Sequence, residues 1–487
     1  LSGKTESGNG SLKRMADDDS QSRQGKKHAA PALAPSIWKI TAVAVLGSLL
    51  AQLDATIVNV SLSSLASDLG STLPAIQWVT SAYLLALTFV LPLNGWLVER
   101  IGGKALYLWC FSLFTASSAL CGLAWSANAL IGFRILQGVS GGLLAPMAQM
   151  TMKRAAGDQF TRIAGYAAMP ILLGPLLGPV IAGAILHYAS WRWLFLVNLP
   201  VGLLALFLAK RFLPADKPQH NPRGLDWVGL MLLSPALALV LLGFERIGEH
   251  AGLVALIAGA LLLVVFLRVE KRKAAHALIN LNQFRSRVFS VASAALFLSN
   301  GVLFAGQMLI PLFLIQACGR SPATMGWMLA PLGLGMMVTF PSLGFLTSRF
   351  GERAVSMGGA SVAVCATLAL AWLAHGPLDV LVLLPALFLR GMGQGAVALP
   401  ALSSAYASTE PRELPMAATT LNIMQRLGGP TLTTLCATFL DRMLEARVGH
   451  AGPNAWTLAF LLLAALHVLT VVAATALPRR AMASERE

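Results

Sequence analysis

The chain has 487 residues, of which 56% are hydrophobic and 12% charged, with a mean hydropathy of +0.69. So much apolar surface with so little charge to cover it excludes a soluble globule and makes a bilayer the solvent. The formal net charge of +15 would suit nucleic acid in a soluble protein, but the Lys and Arg residues stand between apolar runs, where membrane orientation accounts for them.

Residues 1–36 read as a cytoplasmic N-terminal tail. Leu1 to about Arg14 lack an initiator Met and read as added sequence, with Met15 the expected start. No cleavable signal peptide is expected, because the first apolar run is too long and leads into a polytopic pattern. A bilayer core takes roughly 20 helical residues, and apolar runs of that size recur. Helices are expected near 37–62, 74–97, 103–125, 127–152, 162–187 and 191–213, which make an N-terminal six-helix bundle over 37–213. The polar break around Pro214, Pro218 and Pro222 opens a linker, 214–287, holding two further spans near 225–246 and 251–268 as a tight hairpin. Six more, near 288–316, 322–347, 353–374, 378–407, 414–440 and 455–477, make a C-terminal bundle over 288–478, before a cytoplasmic tail at 479–487. The fold class is therefore all-α and polytopic, with about fourteen transmembrane helices.

Positive charge orients the spans. Lys39, Arg100, Lys104, Lys153, Arg154, Arg162, Lys210, Arg211, the run Arg268 to Lys273, Arg349, Arg353 and Arg479 fall on one side, whereas the opposite loops hold only Arg192, Arg246, Arg320, Arg442 and Arg447. Both termini are expected in the cytoplasm of a bacterial inner membrane. The five cysteines lie in apolar stretches without metal-ligand spacing, so neither disulfides nor a metal are expected. No metalloprotease, P-loop or dinucleotide motif occurs, so neither an enzyme nor a cofactor is expected. Energy must then come from an ion gradient or from the substrate's own gradient.

The two halves share a repeat. Gly95 to Lys104 reads GWLVERIGGK, and Gly344 to Arg353 reads GFLTSRFGER, each in the loop between the second and third helices of its half. A weaker echo links Arg134-Ile-Leu-Gln137-Gly138 to Arg390-Gly-Met-Gly-Gln394. Repeated halves are a transporter signature, because two bundles can rock about a site held between them. With Leu53 to Val60 (LDATIVNV), Leu173 to Pro179 (LGPLLGP), Trp191 to Pro200 (WRWLFLVNLP) and Gln425 to Gly429 (QRLGG), the chain resembles the major facilitator superfamily, specifically its fourteen-helix drug:proton antiporter branch, from about residue 40 to 475. It departs from the family pattern at Glu99, where Asp is usual, at Gly103, usually basic, and at Pro179, commonly Gly. The resemblance implies two six-helix bundles, a membrane-embedded acid at Asp54, and gating roles for Gly95, Glu99, Arg100, Gly102, Lys104, Gly174, Pro175, Gly178 and Pro179.

The residues carry their own physics. An Asp near a helix centre costs about 2.5–3.5 kcal/mol on insertion scales, so Asp54 needs a function or a partner. Desolvation favours proton binding; a structural ion pair is the alternative. Arg134 lies at nearly the depth of Asp54 counted from the outer face, either as its state-dependent partner or as a fixed salt bridge. Gly174, Gly178 and the fifth-helix prolines suit close packing and a bend where the two halves meet. Glu99, Arg100 and Lys104 are either gate charges or ordinary interface charges. Asn59, Asn300, Gln307, Asn422, Gln425 and Arg426 are polar at depths that disfavour lipid, so they face a substrate cavity or hydrogen-bond between helices. Tyr83, Trp78 and Met325, Met328, Met336 and Met337 suit an adaptable pocket or core packing.

The expected function is proton-coupled export of small lipophilic or cationic organic compounds by alternating access, of the multidrug efflux type. The alternative is proton-coupled export of a specific metabolite or lipid-like anion, which Arg134, Arg390 and Arg426 would suit; a receptor or lipid-modifying enzyme is a more distant rival. Expected partners are the small-molecule substrate, protons and membrane lipids, with no nucleic acid; an envelope adaptor protein stays open.

Overall fold

A computed structural model describes residues 34–215, 224–273, 278–445 and 455–479, and every regular element in them is helical. The N-terminal tail and the C-terminal residues 480–487 lie outside the described residues, as does the break at 216–223. In chain order the long helices are α1 (Pro35–Val60), α2 (Leu73–Val90, continued by Leu91–Leu93 and Asn94–Ile101), α3 (Gly103–Gly122), α4 (Ala127–Ala156), α5 (Phe160–Tyr188) and α6 (Asn198–Phe212). Then come α7 (Trp227–Glu245), α8 (His250–Lys273), α9 (Arg287–Leu312), α10 (Pro322–Leu373), α11 (Val380–Gly395, followed by Ala398–Ala407), α12 (Leu414–Glu445) and α13 (Ala455–Thr475). Their starts follow local chemistry. Ser126, Asp226, Ser286 and Ser321 each accept a hydrogen bond from a first-turn amide, satisfying donors that the helix leaves free. Pro35 and Pro322 stand where a helix needs no N–H.

Among the described residues eleven helical stretches are long and apolar enough to cross a bilayer. This falls below the expected fourteen for identifiable reasons. The stretches 127–172 and 324–373 each continue past a positive-φ glycine, Gly157 or Gly351. Thr419, Thr420, Asn422, Gln425 and Arg426 make α12 more polar than its neighbours. The repeat has a backbone counterpart as well. Gly102 (φ 84°) and Gly351 (φ 80°) occupy the same place in the two loop motifs, a conformation that only glycine adopts without strain.

Packing separates two groups of helices that meet at one end. In the first, α2 and α3 pack on α4, α1 on α4 and α5, and α6 on α3; in the second, α9 packs on α12 and α13, and α10 on α11. A large apolar cluster crosses both groups near the loops at Gly102 and Gly351, joining Leu106, Met147 and Phe160 to Phe289, Tyr406 and Leu421. Toward the other end each group keeps its own cluster, around Ile57, Val79 and Trp191 in the first and around Leu309, Phe313 and Phe460 in the second.

The α7–α8 pair packs against helices of both groups. Gly243 and Gly259 let the two helices approach closely, and Leu230, Leu233 and Leu237 pack with Leu91 of α2 and Ile423 of α12. Ser81 on α2 donates to Glu245 at the far end of α7. α8 instead turns Leu253, Val254, Ile257 and Leu261 outward. A helix apolar on all sides cannot choose a face by polarity, so small residues and polar ends decide the docking.

Candidate functional site

Asp54 of α1 and Arg134 of α4 form an ion pair with both side chains fully buried. Two more helices complete the shell. Asp54 Oδ1 accepts from Gln137 Nε2 at 3.0 Å and from Asn198 Nδ2 of α6 at 2.9 Å. Ser118 of α3 accepts from both amides, at 3.2 and 3.1 Å, and donates to the Phe195 carbonyl at 2.9 Å. Arg134 also donates to Gln137 Oε1 at 2.8 Å and from Nε to the Val79 carbonyl at 3.2 Å. Its Nη2 has no hydrogen-bond partner among the described residues.

The ring of Tyr83 lies 4.1 Å from the guanidinium carbon and that of Phe195 5.7 Å away, so the cation rests against π faces as well as a carboxylate. Close approach of α2 and α4 makes this possible. A Cβ on Gly138 would stand 2.5 Å from the Tyr83 carbonyl, and one on Gly142 2.4 Å from the Leu87 carbonyl. Fully bonded in this way, the carboxylate is charge-balanced by Arg134.

Sequence reasoning reached Asp54 and Arg134 but gave no role to Gln137, Ser118 or Asn198. Gln137 is one turn beyond Arg134, and Asn198 interrupts an apolar run; those are the signals that point to them. Ser118 has none, since serine is common in membrane helices.

The other expected site residues divide. Tyr83 is buried under Arg134, its hydroxyl donating to the Ala51 carbonyl at 3.3 Å. Asn300 donates to the Gln425 carbonyl, joining α9 to α12. Asn422 is buried and donates to Gln149 Oε1 of α4 at 2.9 Å, where Tyr406 also donates at 3.2 Å. For Asn300 and Asn422 the interhelical alternative therefore describes this geometry better than the cavity one. Gln307 is exposed, and Arg426 is half-buried with its Nε unpartnered among the described residues. The side chains of Asn59, Pro175 and Pro179 lie outside the described residues.

The loop motifs sit where the groups touch. A Cβ on Gly95 would stand 3.2 Å from Met416 Cγ of α12, and one on Gly344 2.5 Å from Arg162 Cβ of α5. Asn94 donates to Thr419 at 3.2 Å. Glu99 is buried, Arg100 lies over the Trp96 ring, and Lys104 donates to the Leu213 carbonyl at 2.8 Å. The fifth-helix glycines differ from expectation. Gly174 and Gly178 face Gln52 and Thr56 of α1 within their own group, and α5 meets the second group through Gly165 against the Phe340 carbonyl. Spacing along a helix gives a small-residue face but not the neighbour that it meets.

In the second group Arg390 of α11 is buried as Arg134 is, but its Nη2 donates to the Val302 carbonyl at 3.0 Å and its Nε has no partner among the described residues. Glycine stands opposite it: a Cβ on Gly306 would lie 1.9 Å from Arg390 Nη2. Gln394 donates to the Ser299 carbonyl at 2.7 Å, and His467 Nε2 lies 3.4 Å from Gln394 Oε1.

The model of the Major Facilitator Superfamily matches residues 44–433. The chain is 32% identical over 426 residues to the multidrug resistance protein B homolog of Mycobacterium tuberculosis (strain ATCC 25618 / H37Rv), covering 86% of this chain and 79% of that protein. Among solved structures, the human organic anion transporter MFSD10 (TETRAN) superposes with a TM-score of 0.62 at 18% identity, over 91% of this chain and 100% of that one. The proton:xylose symporter XylE bound to 6-bromo-6-deoxy-D-glucose gives 0.61 at 15% identity, over 90% and 94%.

Proposed function

Because the chain belongs to the major facilitator superfamily, we propose that this membrane transporter is a proton-coupled antiporter that exports small lipophilic or cationic organic compounds by alternating access. The observation that carries the reading is the buried Asp54–Arg134 pair. With Arg134 engaged, Asp54 is ionised and the site is neutral; with Arg134 withdrawn, the desolvated carboxyl binds a proton. If the two access states differ in that contact, proton movement and substrate movement are linked. The multidrug resistance name of the mycobacterial relative supports efflux.

The reading includes about fourteen spans in two six-helix bundles, 37–213 and 288–478, with α7–α8 between them and both termini in the cytoplasm. On that orientation the shared apolar cluster, with Asn94, Gly95, Met416 and Thr419, closes the cytoplasmic face. Gly102, Glu99, Arg100 and Lys104 act at that gate, and Gly174 and Gly178 let α5 move against α1. In this reading Gln307, exposed, and Arg426, half-buried, are polar substrate contacts.

Proteoliposomes with an imposed pH gradient test the proposal. Asp54→Asn abolishes gradient-driven export while the protein remains folded and inserted; unchanged coupled transport in that variant overturns the assignment. The second reading, export of a metabolite or lipid-like anion, draws on the lack of a carboxylate hydrogen bond at Arg390 and Arg426 among the described residues. Competition between anionic and cationic compounds in the same vesicles separates the two.

A further inference from the structure

A pair of buried acids lies away from the Asp54 site, at the foot of the α7–α8 pair. Asp226, the cap of α7, and Glu270, near the end of α8, are both buried. Asp226 Oδ1 accepts from the Gly229 amide at 2.8 Å and from Lys273. Glu270 Oε1 accepts from the Ile279 amide at 2.9 Å. The remaining oxygens, Asp226 Oδ2 and Glu270 Oε2, have no donor among the described residues. They converge beside Gly229, 2.6 and 3.2 Å from where its Cβ would be.

Two ionised carboxylates at that separation repel strongly, and sharing one proton removes the repulsion. Lys273 is the one cation bonded directly to either acid among the described residues, so without a proton the buried cluster keeps an excess negative charge. We infer that Asp226 and Glu270 form a proton-binding site outside the transport path, the proton lying on Glu270 Oε2 and donated to Asp226 Oδ2. Burial acts to raise the Asp226 pKa, but the Gly229 amide and Lys273 outweigh it and hold this carboxyl below its ordinary range. Asp226 is therefore the ionised member.

A cavity of about 550 Å³, lined by Glu270, Lys271, Asn280 and Arg285 among others, gives the proton a route to solvent. Lys271 and Arg285 are the further charges facing that route. Beyond Ile279, Asn280 and Gln283 donate to Glu413, at 2.7 and 3.4 Å, just before α12. The site thus fastens the helix pair to the segment that enters α9 and, through Glu413, to the start of α12. As pH rises the shared proton leaves, the carboxylates repel, and the foot opens; at lower pH it is closed. The inference is independent of the substrate and of the role given to Asp54.

Infrared titration of the purified full chain, paired with hydrogen exchange at Ile279, tests it. The wild type shows a protonated-carboxyl band that bleaches as pH rises, along with loss of protection at Ile279. Glu270→Gln, whose amide donates in place of the proton, loses that band component and holds Ile279 protected at pH values where the wild type has opened. Asp226→Asn also loses the component, because Glu270 then ionises and accepts from the new amide. A wild-type band that does not bleach, a band unchanged in Glu270→Gln, or the same exchange profile in both proteins overturns the site.

Discussion

The two groups of helices hold a buried arginine each, and their surroundings are opposites. Arg134 is met by a carboxylate, a glutamine, a carbonyl and two aromatic rings. Arg390 is met by one carbonyl and by a glycine where a side chain would have to stand. Both groups thus bury an arginine at matching places in the repeat, and among the described residues only Arg134 of the two is hydrogen-bonded to a carboxylate. Because a buried charge is tolerated only with compensation, the first site is one whose members depend on one another. The second holds a charge that the surrounding protein balances weakly.

The largest test of that contrast removes the cation from each half in turn. Arg134→Met strands Asp54 in the interior and is expected to cost about 3–5 kcal/mol, the range for breaking a buried pair. Arg390→Met removes a charge without stranding another and leaves stability level or higher. Thermal unfolding in one detergent compares them, and equal losses would dissolve the distinction. Next in size is Gly306→Ala, which drives a methyl into the Arg390 guanidinium and is expected to cost about 1–3 kcal/mol. In an Arg390→Met background most of that penalty disappears; a purely additive double mutant would show that glycine and arginine do not share the space.

Gly138→Ala, with its Cβ directed at the Tyr83 carbonyl, is expected to lose a similar or slightly smaller amount. Gly132→Ala, with open space at its Cβ, gains up to about 1 kcal/mol from helix propensity. Matched melting curves of this pair check whether the α2–α4 approach, rather than helix propensity alone, sets the Arg134 site. The smallest effect is that of Tyr83→Phe, which keeps the ring under Arg134 and loses the hydroxyl bond to Ala51, about 0.5–1.5 kcal/mol. A much larger loss would mean that the hydroxyl, not the ring face, supports the guanidinium.

Much of this is legible in the sequence. Apolar runs fixed where the chain is helical, and the repeat located both loop motifs, down to the glycines that later prove to have positive φ. Depth alone brought Asp54 and Arg134 to the same level. What the sequence lacked was rotation about each helix axis. That is why the sequence gives no role to Ser118 and Asn198, and why it suggests the seam between halves for Gly174 and Gly178, which face α1. The same gap explains the α7–α8 pair, whose apolar faces carry no polarity to choose among neighbours. Asn422 shows the converse, since its polarity was read correctly but its partner lies across the seam on Gln149.

The large apolar cluster that crosses both groups near the loops at Gly102 and Gly351, with Phe160 set edge-on to Tyr406 at 5.5 Å, carries a thermodynamic consequence. Parting the helices there wets hydrocarbon on both faces, and hydrating apolar surface raises heat capacity. Unless equal area is covered at the other end in the same movement, the equilibrium between the closed and parted arrangements must curve with temperature, and cooling weakens the seal. How strongly the ratio of closed to parted arrangements bends away from a straight van't Hoff line therefore measures how much apolar surface the parting leaves wet.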